Sequence, residues 1–132
     1  MKKVLVLCTG NSCRSIIAEA LLNAIEGIEA KSAGSDPKGE VHPFAKELLQ
    51  QRGLWRNYRS KGIEEVGEDF DLVVTVCDNA QKACPRLPGV KSLHIPFEDP
   101  DGKGYEAFEE TIQKMEALLV PKVKESLGLG KE

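Results

Sequence analysis

Short apolar runs alternate along this chain with longer stretches in which apolar residues recur every three or four positions. Residues 4–7 are entirely apolar, and residues 71–77 form a nearly continuous run rich in β-branched side chains. Continuous runs of this kind are typical of parallel strands that are covered on both faces. Two further short runs, at 28–32 and 90–95, predict two more strands.

Three segments have the helical period instead. Residues 14–24 predict one helix, and residues 43–51 predict a second, which begins at a proline and is followed by Gly53 as helices commonly are. A third helix is expected from residue 105 onward, and Pro121 should kink or end it. The predicted apolar faces consist of Ile17, Ala20, Leu21 and Ala24 in the first helix and Phe108, Ile112, Met115 and Leu119 in the third.

Strands that alternate with helices predict an α/β fold: an open, four-stranded parallel sheet with helices on both faces. The 132 residues contain no internal repeat and no linker, so we expect a single domain over residues 1–132. In such sheets the functional site lies beyond the carboxyl ends of the strands. Cys8, Cys77 and the segment 97–100 each follow a predicted strand and should therefore meet at one edge.

The composition is that of an ordinary globular protein, with 41% hydrophobic and 30% charged residues. A net charge of −3 argues against a nucleic-acid partner. The apolar runs are too short for a signal peptide or a membrane span, which predicts a cytoplasmic protein without a membrane partner. Cytoplasmic cysteines are kept reduced, so the four in this chain favour catalytic, redox or metal roles over structural disulfides.

The first candidate site is the sequence CTGNSCRS at residues 8–15, between the first strand and the first helix. Amide groups in such a turn can surround an anion at the helix N-terminus, which should lower the pKa of Cys8. Arg14 can bind two oxygens of the anion, and the Ser15 hydroxyl can donate to the sulfur. Asn11 can brace the loop because it tolerates a left-handed backbone. By spacing alone, Cys8 could equally be a strand residue and Arg14 a solvated charge. The residues expected to bind the anion are Thr9, Gly10, Asn11, Ser12, Cys13 and Ser15.

Two further constellations follow later strands. Cys77 and Cys84 are seven positions apart, a spacing that does not suit zinc, and Cys77 could also be a core residue. Asp99 could supply a proton to a leaving oxygen opposite a thiol, although an isolated Asp-Pro is more often a turn. Its neighbour Glu98 is expected to be solvated.

Taken together, these residues resemble a known superfamily. The loop CTGNSCRS, followed by Ala18-Glu19-Ala20, is similar to the phosphate loop shared by low-molecular-weight protein tyrosine phosphatases and thioredoxin-coupled arsenate reductases. Thr9, Ser12 and Cys13 are nearer the reductase version. The similarity continues through Ser32-Ala-Gly34, His42-Pro43, Arg59-Ser-Lys61, the run DLVVT at 71–75 and Asp99-Pro100.

The resemblance implies a reductase that converts arsenate to arsenite. Cys8 would be the nucleophile, Arg14 would hold the anion and Asp99 would be the general acid. Cys77 and Cys84 would relay the oxidation to a disulfide that thioredoxin reduces. The segment between them, with Asn79-Ala80-Gln81-Lys82, is expected to be a helix that can unwind.

The resemblance also raises the question of a cation. Asn11, Glu19 and Ser32 match positions that some relatives use to bind potassium, but Ser60 stands where those relatives have a carboxylate. A potassium site is therefore doubtful, and we expect no metal or cofactor.

Two alternatives stay open at this point. A tyrosine phosphatase would need only Cys8, Arg14 and Asp99, and a redox-sensing or anion-binding module would not turn over. Phosphatases of this family usually have aromatic residues directly after the Asp-Pro pair, whereas Asp101-Gly-Lys-Gly follows here, which favours a small inorganic substrate. Glutaredoxin with glutathione could replace thioredoxin as the reductant.

Overall fold

The protein is built on one sheet of four parallel strands. A computed structural model describes residues 1–67, 69–77 and 90–129. The strands are β1 (Lys2–Cys8), β2 (Ile28–Gly34), β3 (Leu72–Thr75) and β4 (Lys91–His94), in the spatial order β2-β1-β3-β4. The predicted open four-stranded parallel sheet is thereby confirmed, with each strand within a few residues of its expected position.

The two central strands are buried because both of their faces are covered. Val4 of β1 is paired with Ala30 of β2 on one side and Leu72 of β3 on the other, and all three are almost inaccessible to solvent. The apolar run at 4–7 therefore reads as a strand without polar alternation, as parallel sheets require. By contrast, β4 lies at the sheet edge and is only partly covered.

Four α-helices are present in the described part of the chain: α1 (Arg14–Asn23), α2 (Pro43–Gln51), α3 (Tyr105–Lys114) and α4 (Val120–Ser126). A π-helical turn, Met115–Leu119, joins α3 to α4 without a break. This wider turn accommodates Pro121, which lacks an N–H donor, so the proline falls in the first turn of α4 and the helical path continues to Ser126. None of the helices in the described ranges is long and apolar enough to cross a membrane.

The order of the strands determines where a site can form. From β1 the chain crosses to β2, toward one edge of the sheet. From β3 it crosses to β4, toward the opposite edge. Loops that depart in opposite directions leave a crevice between the carboxyl ends of the two strands. Cys8 is the last residue of β1, and Cys77 follows β3 by two residues, so the fold brings both thiols to this crevice.

Candidate active site

The loop at residues 8–15 is oriented by hydrogen bonds to its carbonyl groups. Four of its carbonyl oxygens accept from backbone amides of the segment 35–42, which joins β2 to α2. In a trans peptide, the C=O of one residue and the N–H of the next point in opposite directions. The amides that follow these carbonyls therefore face the inside of the loop, beside the N-terminus of α1, where they can bind an anion. They belong to Thr9, Gly10, Asn11 and Cys13.

Asn11 fixes the bend of this loop through its backbone and its side chain. Its φ of 47° lies in the left-handed region, which Asn tolerates better than most residues, as predicted. The side-chain Nδ2 donates to Ser15 Oγ at 2.8 Å and to Ser32 Oγ at 2.9 Å, and Oδ1 accepts from the Lys61 amide at 2.8 Å. Asn11 is fully buried, so each of these bonds is shielded from water. The bond expected from Ser15 to the Cys8 sulfur stays a prediction.

Two residues that support the loop were not assigned a role from the sequence. Ser60 Oγ donates to the Gly10 carbonyl at 3.1 Å and accepts from the Gly39 amide at 3.1 Å. Gly34 allows β2 to approach the loop closely, because a Cβ there would lie 2.5 Å from the Thr9 carbonyl oxygen. In the sequence, only the SAG motif at residues 32–34 and the RSK motif at residues 59–61 drew attention to these two positions.

Cys8 lies at the base of the loop and is almost completely buried. A hydrogen bond with the Cys77 thiol and burial raise its pKa, while Arg14 and the Thr9 amide act in the opposite direction. The prediction of a lowered pKa for Cys8 is therefore wrong for this arrangement. The loop and Arg14 favour the thiolate as expected, but the sequence could not reveal that a second thiol lies against the first.

The contact with Cys77 has a measurable consequence for the titration of Cys8. Replacing Cys77 by Ala removes the largest cause of the raised pKa, so the Cys8 pKa should fall and the thiolate should form at lower pH. Alkylation of Cys8 by iodoacetamide, located by mass spectrometry and followed against pH, should show its inflection shifted downward. Cys13→Ala removes a different buried thiol and should not shift it. An unchanged inflection in Cys77→Ala would show that the Cys77 thiol does not raise the pKa of Cys8.

Arg14 is held at the mouth of the loop by two partners from the segment after β4. Its Nη1 donates to the Phe97 carbonyl at 2.9 Å, and its Nη2 lies 3.6 Å from Asp99 Oδ2. The Arg14 side chain is largely buried, while that of Asp99 is half exposed. Asp99 thus lies beside Arg14, on the solvent-exposed side of the loop at residues 8–15, the anion loop.

The remaining cysteines differ in their environment. Cys77 Sγ lies 3.3 Å from Thr9 Oγ1, so Cys77 contacts the loop as well as Cys8. Cys13 is buried before α1, and burial, with the charge of Asp99, raises its pKa to about 11. Its burial within the hydrophobic core agrees with a packing role for the Cys13 side chain. Cys84 and the helix expected around residues 79–82 lie outside the described residues.

The residues considered for potassium are hydrogen-bonded to one another instead. Ser32 Oγ donates to Glu19 Oε1, and Asn11 Oδ1 accepts from the Lys61 amide, so these oxygens are already engaged. Burial raises the pKa of Glu19 and lowers that of Lys61, while the ammonium group of Lys61 and the carboxylate attract each other. Within the described ranges, no group of three His, Cys, Asp or Glu side chains could hold a metal ion. A potassium ion at this point would have to compete with these hydrogen bonds.

A set of charged residues at the rim was also not assigned from the sequence. Asp101 pairs with Lys38 Nζ at 3.0 Å and with His42 Nε2 at 3.2 Å. Lys38 and His42 come from the segment between β2 and α2, whereas Asp101 follows Asp99 by two residues. Contacts between segments so far apart in the chain have no local sequence signal.

The chain is similar to known proteins over most of its length. The chain is 38% identical over 128 residues to an arsenate reductase of Staphylococcus aureus. The aligned region covers 93% of this chain and 96% of that protein. Among solved structures, an arsenate reductase from Archaeoglobus fulgidus is 34% identical with a TM-score of 0.78, covering 95% and 98% of the two chains. A thioredoxin-dependent arsenate reductase from Corynebacterium glutamicum is 33% identical with a TM-score of 0.68, covering 90% of this chain and 60% of that one.

The family assignment rests on nearly the whole chain. The model of the low molecular weight phosphotyrosine protein phosphatase family matches residues 3–128, which include the anion loop, both central strands and Asp99. With its parallel sheet, its loop of inward-facing amides and Arg14 at the mouth, the chain belongs to the low molecular weight phosphotyrosine protein phosphatase family.

Proposed function

We propose that this protein reduces arsenate to arsenite, with Cys8 as the nucleophile and thioredoxin as the final reductant. The observation that carries this proposal is the contact between the Cys8 and Cys77 thiols at the crevice of the sheet. A phosphatase needs one thiol at this point, whereas a reductase needs a second within bonding reach of the first. The arsenate reductases of S. aureus and A. fulgidus, similar to this chain over most of its length, support the same reaction.

The first step is displacement at arsenic. Arsenate binds to the inward-facing amides of the loop and to the guanidinium of Arg14, and the Cys8 thiolate attacks the arsenic atom. A sulfur–arsenic bond forms and an arsenic–oxygen bond breaks. Asp99 donates a proton to the departing oxygen, so the leaving group is water.

The second step transfers two electrons. The Cys77 thiolate attacks the Cys8 sulfur, forming a Cys8–Cys77 disulfide and breaking the sulfur–arsenic bond. The bonding pair remains on arsenic, which is reduced from the +5 to the +3 state and leaves as arsenite. The Cys8–Cys77 contact favours this step because little movement is needed before the sulfurs react.

The third step moves the oxidation away from the loop. Cys84 attacks Cys77, which releases the Cys8 thiolate and leaves a Cys77–Cys84 disulfide. Thioredoxin then reduces this disulfide with its own pair of thiols. A cytoplasmic location suits this cycle, since the three thiols must start reduced.

A coupled assay tests the reaction directly. Purified protein, arsenate, thioredoxin, thioredoxin reductase and reduced nicotinamide cofactor should give arsenate-dependent oxidation of the cofactor. Inorganic phosphate should compete, because it fits the same amides. An activated aryl phosphate should be hydrolysed slowly, since Cys8, Arg14 and Asp99 are sufficient for that reaction.

Each alternative has a distinct outcome in this assay. A phosphatase would hydrolyse the aryl phosphate far better and would show no arsenate-dependent oxidation. A sensor or binding module would bind the anion without turnover of either substrate. Replacing thioredoxin by glutaredoxin with glutathione in a parallel reaction identifies the reductant.

A further inference from the structure

A chain of contacts crosses the rim of the anion loop. The carbon atoms of the Lys38 side chain lie 3.2–3.4 Å from the position that a Cβ on Gly10 would occupy, so the lysine stem rests directly on the loop. Beyond the stem, Lys38 Nζ lies 3.0 Å from Asp101 Oδ2. The two side chains therefore join the segment after β2 to the segment after β4.

Asp101 is fixed by a second partner. His42 Nδ1 accepts from the Phe44 amide at 3.1 Å, so the ring proton is on Nε2, which lies 3.2 Å from Asp101 Oδ1. The hydrogen bond with Lys38 lowers the pKa of Asp101, and the same bond raises the pKa of Lys38. Both groups are therefore charged at neutral pH.

The contacts return to the loop on its other side. The Asp101 amide donates to Asp99 Oδ1 at 3.0 Å, and Asp99 Oδ2 pairs with Arg14. A closed series thus runs from Gly10 through Lys38, Asp101 and Asp99 to Arg14, and both of its ends belong to the anion loop. A substrate that extends out of the loop on this side must displace the ion pair or lie against it.

We propose that the Lys38–Asp101 ion pair determines specificity, by admitting a compact inorganic oxyanion and disfavouring an oxyanion that carries an aryl group. This inference rests on the proposed function and adds to it the residues that restrict the substrate. An aryl ring packed here would remove water from two charged groups without replacing their hydrogen bonds, which is unfavourable. A free oxyanion ends inside the loop and does not incur this cost.

Direct binding measurements test the ion pair without any turnover. In a Cys8→Ser background, which prevents chemistry, calorimetry gives the dissociation constants of inorganic phosphate and phenyl phosphate. The double variant Lys38→Ala with Asp101→Ala should strengthen phenyl phosphate binding relative to inorganic phosphate by about tenfold, the scale of single changes in a binding pocket. Lys38→Met, which keeps most of the stem, should weaken inorganic phosphate binding at low salt because Asp101 loses the ammonium group that offsets its charge.

The matched control is the ion pair of Glu98 with Lys103, which belongs to the same segment and is not part of the series of contacts. Replacing both control residues by Ala should leave the binding ratio unchanged. An unchanged ratio in the Lys38 and Asp101 variant, or an equal change in the control, would overturn the proposal. Exposed ion pairs add little stability, so both double variants should fold, and Asp101→Asn provides a milder test of the same ratio.

The outcome is separable from that of the proposed function. The binding ratio requires neither arsenate reduction nor thioredoxin. A protein that shows the altered ratio but no activity in the coupled assay would retain the specificity role of Lys38 and Asp101 and lose the reductase assignment. Arsenate turnover with an unaltered binding ratio would retain the reductase assignment and refute the specificity role of Lys38 and Asp101.

Discussion

Replacement of Cys8 by Ser is expected to abolish arsenate reduction and aryl phosphate hydrolysis, by a factor of about 10⁴ or more, as for other covalent nucleophiles. A hydroxyl is far less acidic than a thiol, so no adduct with arsenic should form. Replacement of Cys77 by Ser should block the reaction one step later, with the adduct on Cys8 formed and no arsenite released. Intact-protein mass spectrometry after arsenate treatment distinguishes an unmodified chain from a chain that carries the adduct.

The third thiol completes this prediction. Cys84→Ser should permit one turnover and then accumulate a Cys8–Cys77 disulfide, which thioredoxin should reach poorly because Cys8 is buried. Peptide mapping under non-reducing conditions should find Cys77–Cys84 in the wild type, and Cys13→Ser should not change that pairing. Undiminished multiple turnover in Cys84→Ser, with Cys8–Cys13 as the main disulfide in the wild type, would refute the three-thiol sequence.

Asp99→Asn is expected to slow adduct formation by about 10² to 10⁴, the usual contribution of a positioned general acid. The amide preserves the shape of the side chain but cannot donate a proton in the same way. Rapid-quench measurement of the adduct on Cys8 isolates this step from the later thiol exchanges. Thermal unfolding should change little because the Asp99 side chain is half exposed.

The neighbouring carboxylate provides the control for Asp99. Glu98 pairs with Lys103 and is not connected to Arg14 in the described contacts, so Glu98→Gln should leave the rate of adduct formation close to that of the wild type. Full activity in Asp99→Asn would show that Asp99 only shapes the turn through its bond to the Asp101 amide.

Most of the fold could be predicted because its signals are local. The run at 4–7 is apolar throughout and the run at 71–77 is rich in β-branched residues, and such runs form central parallel strands since both faces need cover. Pro43 and Gly53 similarly mark α2, whose observed bounds match the expected ones. Pro121 was the exception, because the π-helical turn that accommodates it has no comparable sequence signal.

The sequence singled out residues that the structure brings together at one place, but it did not predict their electrostatics. Cys8, Arg14 and Asn11 lie where the loop motif places them, and the left-handed backbone of Asn11 was expected. The raised pKa of Cys8 was not expected, because it results largely from a contact with Cys77, almost seventy positions away along the chain. Burial and distant neighbours shift a pKa as strongly as the adjacent loop does.

The sequence by itself therefore determined the kind of protein: a parallel α/β sheet with a thiol at the base of an anion loop, and a second pair of cysteines after a later strand. These features depend on hydrophobic period, turn residues and short motifs, which act over a few neighbouring positions. Only the tertiary structure decided which groups touch. The strand order β2-β1-β3-β4 brings Cys8 against Cys77, and two loops more than sixty residues apart meet as Lys38 and Asp101. Such contacts depend on the packing of the whole chain, because charge, burial and proximity are properties of the folded molecule rather than of any segment.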